Sequence, residues 1–139
     1  IDVSLVGSEM CIRDRNSGLI SNAIYLAGVA FLLWVAFRAA NQTRAEDAGL
    51  LNKTLVSLFS LGIIFNGLFT GAILFNLLEG TAYSLAQLES LSAFSQAFVD
   101  AYNVGAPEAG TNIFTANPVN TGWWLVITIM IFGRIWTKA

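Results

Sequence analysis

The chain has 139 residues and a mass of 15.0 kDa; 55% of the residues are hydrophobic, 12% are charged, and the mean hydropathy is +0.65. Soluble domains carry about 25% charged residues, so this composition excludes a disordered tail, a coiled coil and a nucleic-acid binder, and makes a membrane protein the leading class. The formal charge is −2, histidine is absent, and the single cysteine, Cys11, can form neither an internal disulfide nor a thiolate metal site.

Residues 1–15 differ in character from the rest of the chain. The run from Leu5 to Arg15 (LVGSEMCIRDR) is polar and charged, yet abuts an apolar stretch. It resembles the translation of the adapter used in transposase-based sequencing libraries, whose codons account for Leu5 through Asp14 and the first two bases of Arg15. On that resemblance, residues 1–15 are foreign and Met10 is not a start. The native part is then a metagenomic fragment, 16–139, forming a single membrane domain without cysteine or histidine. Residues 16–139 themselves resemble no family by motif.

Three stretches are expected to cross a membrane, for which a helix needs about 20 largely apolar residues. The first, about 19–37, is uncharged and ends at Arg38; the second, about 54–78, is uncharged between Lys53 and Glu79. The third, about 119–137, carries Arg134 near its end, where a long apolar stem lets the guanidinium reach the headgroups. Too few polar residues remain to clothe three such helices in a soluble fold of this length.

Beyond residue 15 the basic residues are Arg38, Arg44, Lys53, Arg134 and Lys138, all on one side of a three-span arrangement. The segment between the second and third spans, 80–118, has no Lys or Arg and carries Glu89, Asp100 and Glu108. Positive residues favour the cytoplasmic side. The expectation is therefore a native N-terminus outside and a cytoplasmic C-terminus, in a prokaryotic cytoplasmic membrane. Trp34 and Trp136 are expected to anchor the inner interface, with Tyr83, Trp123 and Trp124 at the outer one.

The connection from Ala39 to Asn52 reads as a short polar loop. From Thr81 to Tyr102 the apolar residues recur at helical spacing, with Leu88, Leu91, Phe98, Val99 and Tyr102 on one face. This predicts an external amphipathic helix resting on the bundle. Val104 to Asn120, with Gly, Asn and both prolines, reads as an irregular loop, with Asn120 or Thr121 capping the third span. The fold expected is thus all-α and integral to the membrane: three transmembrane helices plus an external amphipathic helix and loop.

Within the second span, Gly67 and Gly71 lie four residues apart on one face, and Ser60 extends it; such small residues let a second helix backbone approach closely. Asn66, Thr70 and Asn76 are polar groups in the same span, expected to face protein or water because an unsatisfied amide in hydrocarbon is costly. No metal-ligand cluster, nucleophile–base pair or phosphate loop is present, so no cofactor, no catalytic residue and no enzymatic activity are expected. The leading function is that of a small membrane protein acting through helix contacts, an accessory or structural subunit. Its expected partners are the lipid bilayer and a membrane protein or further copies of itself. The alternative is a piece of a transporter or channel, with Asn66 and Thr70 lining a path.

Overall fold

The computed structural model describes residues 3–88, 90–102, 105 and 112–137. Glu89, Glu108 and Lys138, on which the expected orientation partly rests, lie outside the described residues, as do Val104 and residues 106–111 of the loop read from Val104 onward. Four helices succeed one another: α1 (Val3–Ala45), α2 (Leu50–Ala86), α3 (Ala93–Tyr102) and α4 (Pro118–Trp136). No strand occurs among the described residues. Three of the helices, α1, α2 and α4, are long and apolar enough to cross a membrane.

Hydropathy marks the middle of these helices but not their ends. The 43 residues of α1 extend ~65 Å and the 37 of α2 ~56 Å, against ~29 Å for the 19 of α4 and ~30 Å for a hydrocarbon core. The polar stretch after Arg38, expected as a loop, instead continues α1 through Ala45, because it is rich in alanine and holds no Gly or Pro. Only residues 46–49 connect α1 to α2. There Asp47 takes a left-handed φ of 44° and Gly49 is the N-cap of α2. Lys53 reaches Asp47 at 3.5 Å, but Asp47 is almost fully exposed, so the pair adds little.

The amphipathic stretch Thr81–Tyr102 is not one helix. Residues 81–86 complete α2, and α3 starts afresh at Ala93 because Ser92 caps it: the Ser92 hydroxyl accepts from the Ser95 amide at 3.2 Å. Val99 is buried and Leu91, Phe98 and Tyr102 are half-buried, so the apolar face does turn inward. At α4 the cap is Asn117, whose side chain accepts from the Asn120 amide at 3.1 Å, rather than Asn120 or Thr121. Pro118 occupies the first helical position, where a missing N–H is harmless.

The core is a three-helix seam. Buried or half-buried positions recur as Val29, Leu33, Ala36 and Ala40 on α1, as Ser60, Ile63, Gly67 and Thr70 on α2, and as Trp124, Ile127, Ile131 and Ile135 on α4. Steps of three and four residues give a mean repeat near 3.5, the pattern of helices crossing at low angle. α2 runs antiparallel to both neighbours. Toward the α3 end, a second small cluster gathers around Ala82, Leu85 and Val99, with Arg15 of α1 5.0 Å above the Phe98 ring.

Candidate functional site

The face formed by Gly67, Gly71 and Ser60 is directed inward, against α4. Ser60 is fully buried and its hydroxyl donates to the Val56 carbonyl at 2.8 Å. A Cβ added at Gly67 would overlap the indole of Trp124, and one at Gly71 would overlap the side-chain amide of Asn120. The two glycines thus form a groove on α2 into which one turn of α4 inserts Trp124 and Asn120. Within that turn the Trp124 indole N–H donates to Asn120 Oδ1 at 3.1 Å. Asn120 Nδ2 is buried with no partner among the described residues, pressed against the α2 backbone.

Trp124 is therefore not an interface anchor: it is 5% exposed, while its neighbour Trp123 is 65% exposed. Successive helical residues point about 100° apart, and here that rotation sets Trp124 into the seam while Trp123 points away from it. Trp34 and Trp136 are exposed as anchors would be, and the Trp136 indole donates to Ser57 Oγ at 3.2 Å. Tyr83 is half-buried. Arg134 is exposed at the hairpin end of the bundle, and its Nη1 donates to Asn41 Oδ1 at 2.7 Å.

The intramembrane polar residues are used locally. Asn66 Oδ1 accepts from the Tyr25 hydroxyl of α1 at 2.6 Å, and Asn66 Nδ2 donates to the Gly62 carbonyl at 2.8 Å. Thr70 is buried and donates to the Asn66 carbonyl at 2.7 Å. Asn76 is half-buried and lines a separate 340 Å³ cavity with Thr81 and Ser84, near Cys11 and Asp14 of α1. Asn66 and Thr70 are adjacent, but Asn76 lies well along the helix from them, so the three do not form one stripe through the bundle.

Sequence reasoning reaches one half of each contact. It misses the partners of the glycines, Trp124 and Asn120, and the partner of Asn66, Tyr25. A signal for Trp124 exists in its position seven and eleven residues before Ile131 and Ile135, spacings that return to nearly the same helix face, from which Trp123 is rotated by about 100°. For Tyr25 there is none, since its pairing depends on how α1 and α2 align.

Fold and contacts together define an all-helical chain with three helices of membrane-crossing length, locked by a glycine groove. No family model, curated protein or solved structure matches it.

Proposed function

We propose that the chain is a small integral membrane protein that acts through helix contacts as a non-enzymatic accessory or structural subunit, in a prokaryotic cytoplasmic membrane. Its C-terminus and α1–α2 connection are cytoplasmic, and α3 is outside. The observation that carries this reading is the internal use of the intramembrane polar groups. Asn66 is paired with Tyr25 and Thr70 with its own helix, which leaves α2 without a row of free donors and acceptors for a solute. The outward faces of α1, α2 and α4 stay apolar, with Phe31, Phe65 and Ile129 among the exposed side chains, as suits lipid or another helix.

Topology is tested by single cysteines at Ala45 and Ala101 in a Cys11→Ser background. With an impermeant reagent on intact cells, Ala101→Cys is expected to react and Ala45→Cys to stay protected; the reverse pattern would invert the orientation.

Function is tested on purified chain. The subunit reading expects a complex larger than one 15.0 kDa chain in mild detergent. It also expects no ion flux above background in proteoliposomes. Flux abolished by Asn66→Leu and Thr70→Val, with assembly intact, would replace it with the permeation reading.

A further inference from the structure

Opposite α4, the α1–α2 pair encloses a lateral groove of 780 Å³, within the range of about 300–1,000 Å³ typical of ligand sites. We propose that this groove holds an anionic phospholipid, with an acyl chain along its length and the phosphate against Arg38. The inference rests on the membrane placement proposed above.

The walls are apolar, formed by Ile24, Phe31 and Leu32 from α1 and by Leu58, Phe59 and Ile63 from α2. Its depth comes from Gly28 and Gly62, one on each wall. A Cβ at either would have nothing within 4 Å, so these glycines are not needed for any contact in the bundle, unlike Gly67 and Gly71. At the mid-membrane end stand Tyr25 and Asn66, already hydrogen-bonded to each other. With the Asn66 amide also donating to the Gly62 carbonyl, only its second N–H is left there for a polar ligand.

The other end carries a charge. Ile24, Phe31 and Arg38 are spaced by seven residues, so they stack along one edge of α1, drifting only about 20° per step. Arg38 thus continues the lip of the groove to the point where the apolar span stops. It is exposed, lies 5.8 Å from the Trp34 ring, and has no carboxylate partner among the described residues. A groove that is apolar along its length with one unpaired guanidinium at its mouth complements an anionic lipid. The same apolar walls on a second copy of this chain would bring no carboxylate to that cation. Guanidinium also suits phosphate through its planar set of donors.

The test titrates the purified full chain in detergent with phosphatidylglycerol or phosphatidylcholine of identical acyl chains, counting bound lipid by native mass spectrometry. Wild type is expected to bind one phosphatidylglycerol at least about tenfold more tightly than phosphatidylcholine, because the choline cation offsets the phosphate charge that faces Arg38. Arg38→Gln is expected to erase that preference. Gly62→Leu fills the groove and is expected to abolish binding of both lipids. Gly133→Leu, which adds the same bulk at an open site on α4, is expected to bind like wild type.

Equal binding of the two lipids, or a preference untouched by Arg38→Gln and Gly62→Leu, would overturn the site. So would a lipid-independent dimer broken by Gly62→Leu, which would assign the groove to a second copy. Failure of the chain to float with vesicles of either lipid would overturn the membrane placement itself, a distinct result.

Discussion

Gly67→Ala is expected to destabilise the bundle by about 1–3 kcal/mol, although it adds only one methyl group, because that methyl falls on the indole of Trp124. A rigid two-ring side chain buried to 5% exposure cannot swing aside as a lysine or methionine would. Trp124→Ala removes the obstacle but leaves a cavity, at about 3–5 kcal/mol. The informative quantity is the double variant. If the groove and the indole form one contact, Gly67→Ala should cost much less in the Trp124→Ala background, with a coupling of about 0.5–3 kcal/mol. Unfolding in mixed micelles, followed by helical circular dichroism, measures all four corners. Strict additivity would mean that α4 does not sit in this groove. Asn66→Leu provides the comparison: losing the Tyr25 bond should cost only about 0.6–2 kcal/mol, the range for interhelical hydrogen bonds in membranes.

How much of this contact is visible in the residues depends on the physical property each signal measures. The glycine pair is legible because a four-residue spacing puts both on one face whatever the partner is. Which partner fills it depends on the axial alignment of α2 and α4, which emerges only when whole side-chain surfaces are matched. Even so, Trp124 lies seven and eleven residues before Ile131 and Ile135, on nearly one line along the helix, while Trp123 is rotated about 100° from that line. The ends of the helices escape sequence reading for a different reason. A hydropathy window reports the depth of the bilayer, whereas α1 continues past Arg38 on the helix propensity of Ala39, Ala40 and Ala45 and on the packing of Ala40 into the seam. Ser92 is the converse case. Its side chain starts α3 inside a stretch whose periodicity runs unbroken, because a local hydroxyl-to-amide bond competes with continued helix.

The largest effect not foreshadowed by any motif belongs to α1. Ala36 and Ala40 are both fully buried in the seam, four residues apart, where α1 meets its neighbours. In sequence Ala36 is one alanine of an apolar run, and Ala40 falls in the stretch read as a polar loop. In the structure they are α1's counterpart to the glycine face of α2, and Ala40 precedes Thr43, also buried, by one helical turn. Helices in lipid gain no hydrophobic drive from meeting each other, so their association depends on dispersion contacts that need short side chains at the closest approach. Ala36→Leu and Ala40→Leu are each expected to cost about 1–3 kcal/mol, and together to separate α1 from α2 and α4. Ala30→Leu, the same chemical change at an exposed position on the same helix, is the control and should fall within about 0.5 kcal/mol of wild type. Cross-linking of paired cysteines by a short bis-maleimide, in a Cys11→Ser background, reads the separation directly. Asn41→Cys and Arg134→Cys place thiols at positions whose native side chains meet at 2.7 Å through the long arginine stem, a span the cross-linker replaces, and should be joined in the Ala30→Leu chain. In the Ala36→Leu, Ala40→Leu chain the cross-link should be lost. Efficient trapping in that double variant would show that α1 does not depend on these two alanines for its place in the bundle.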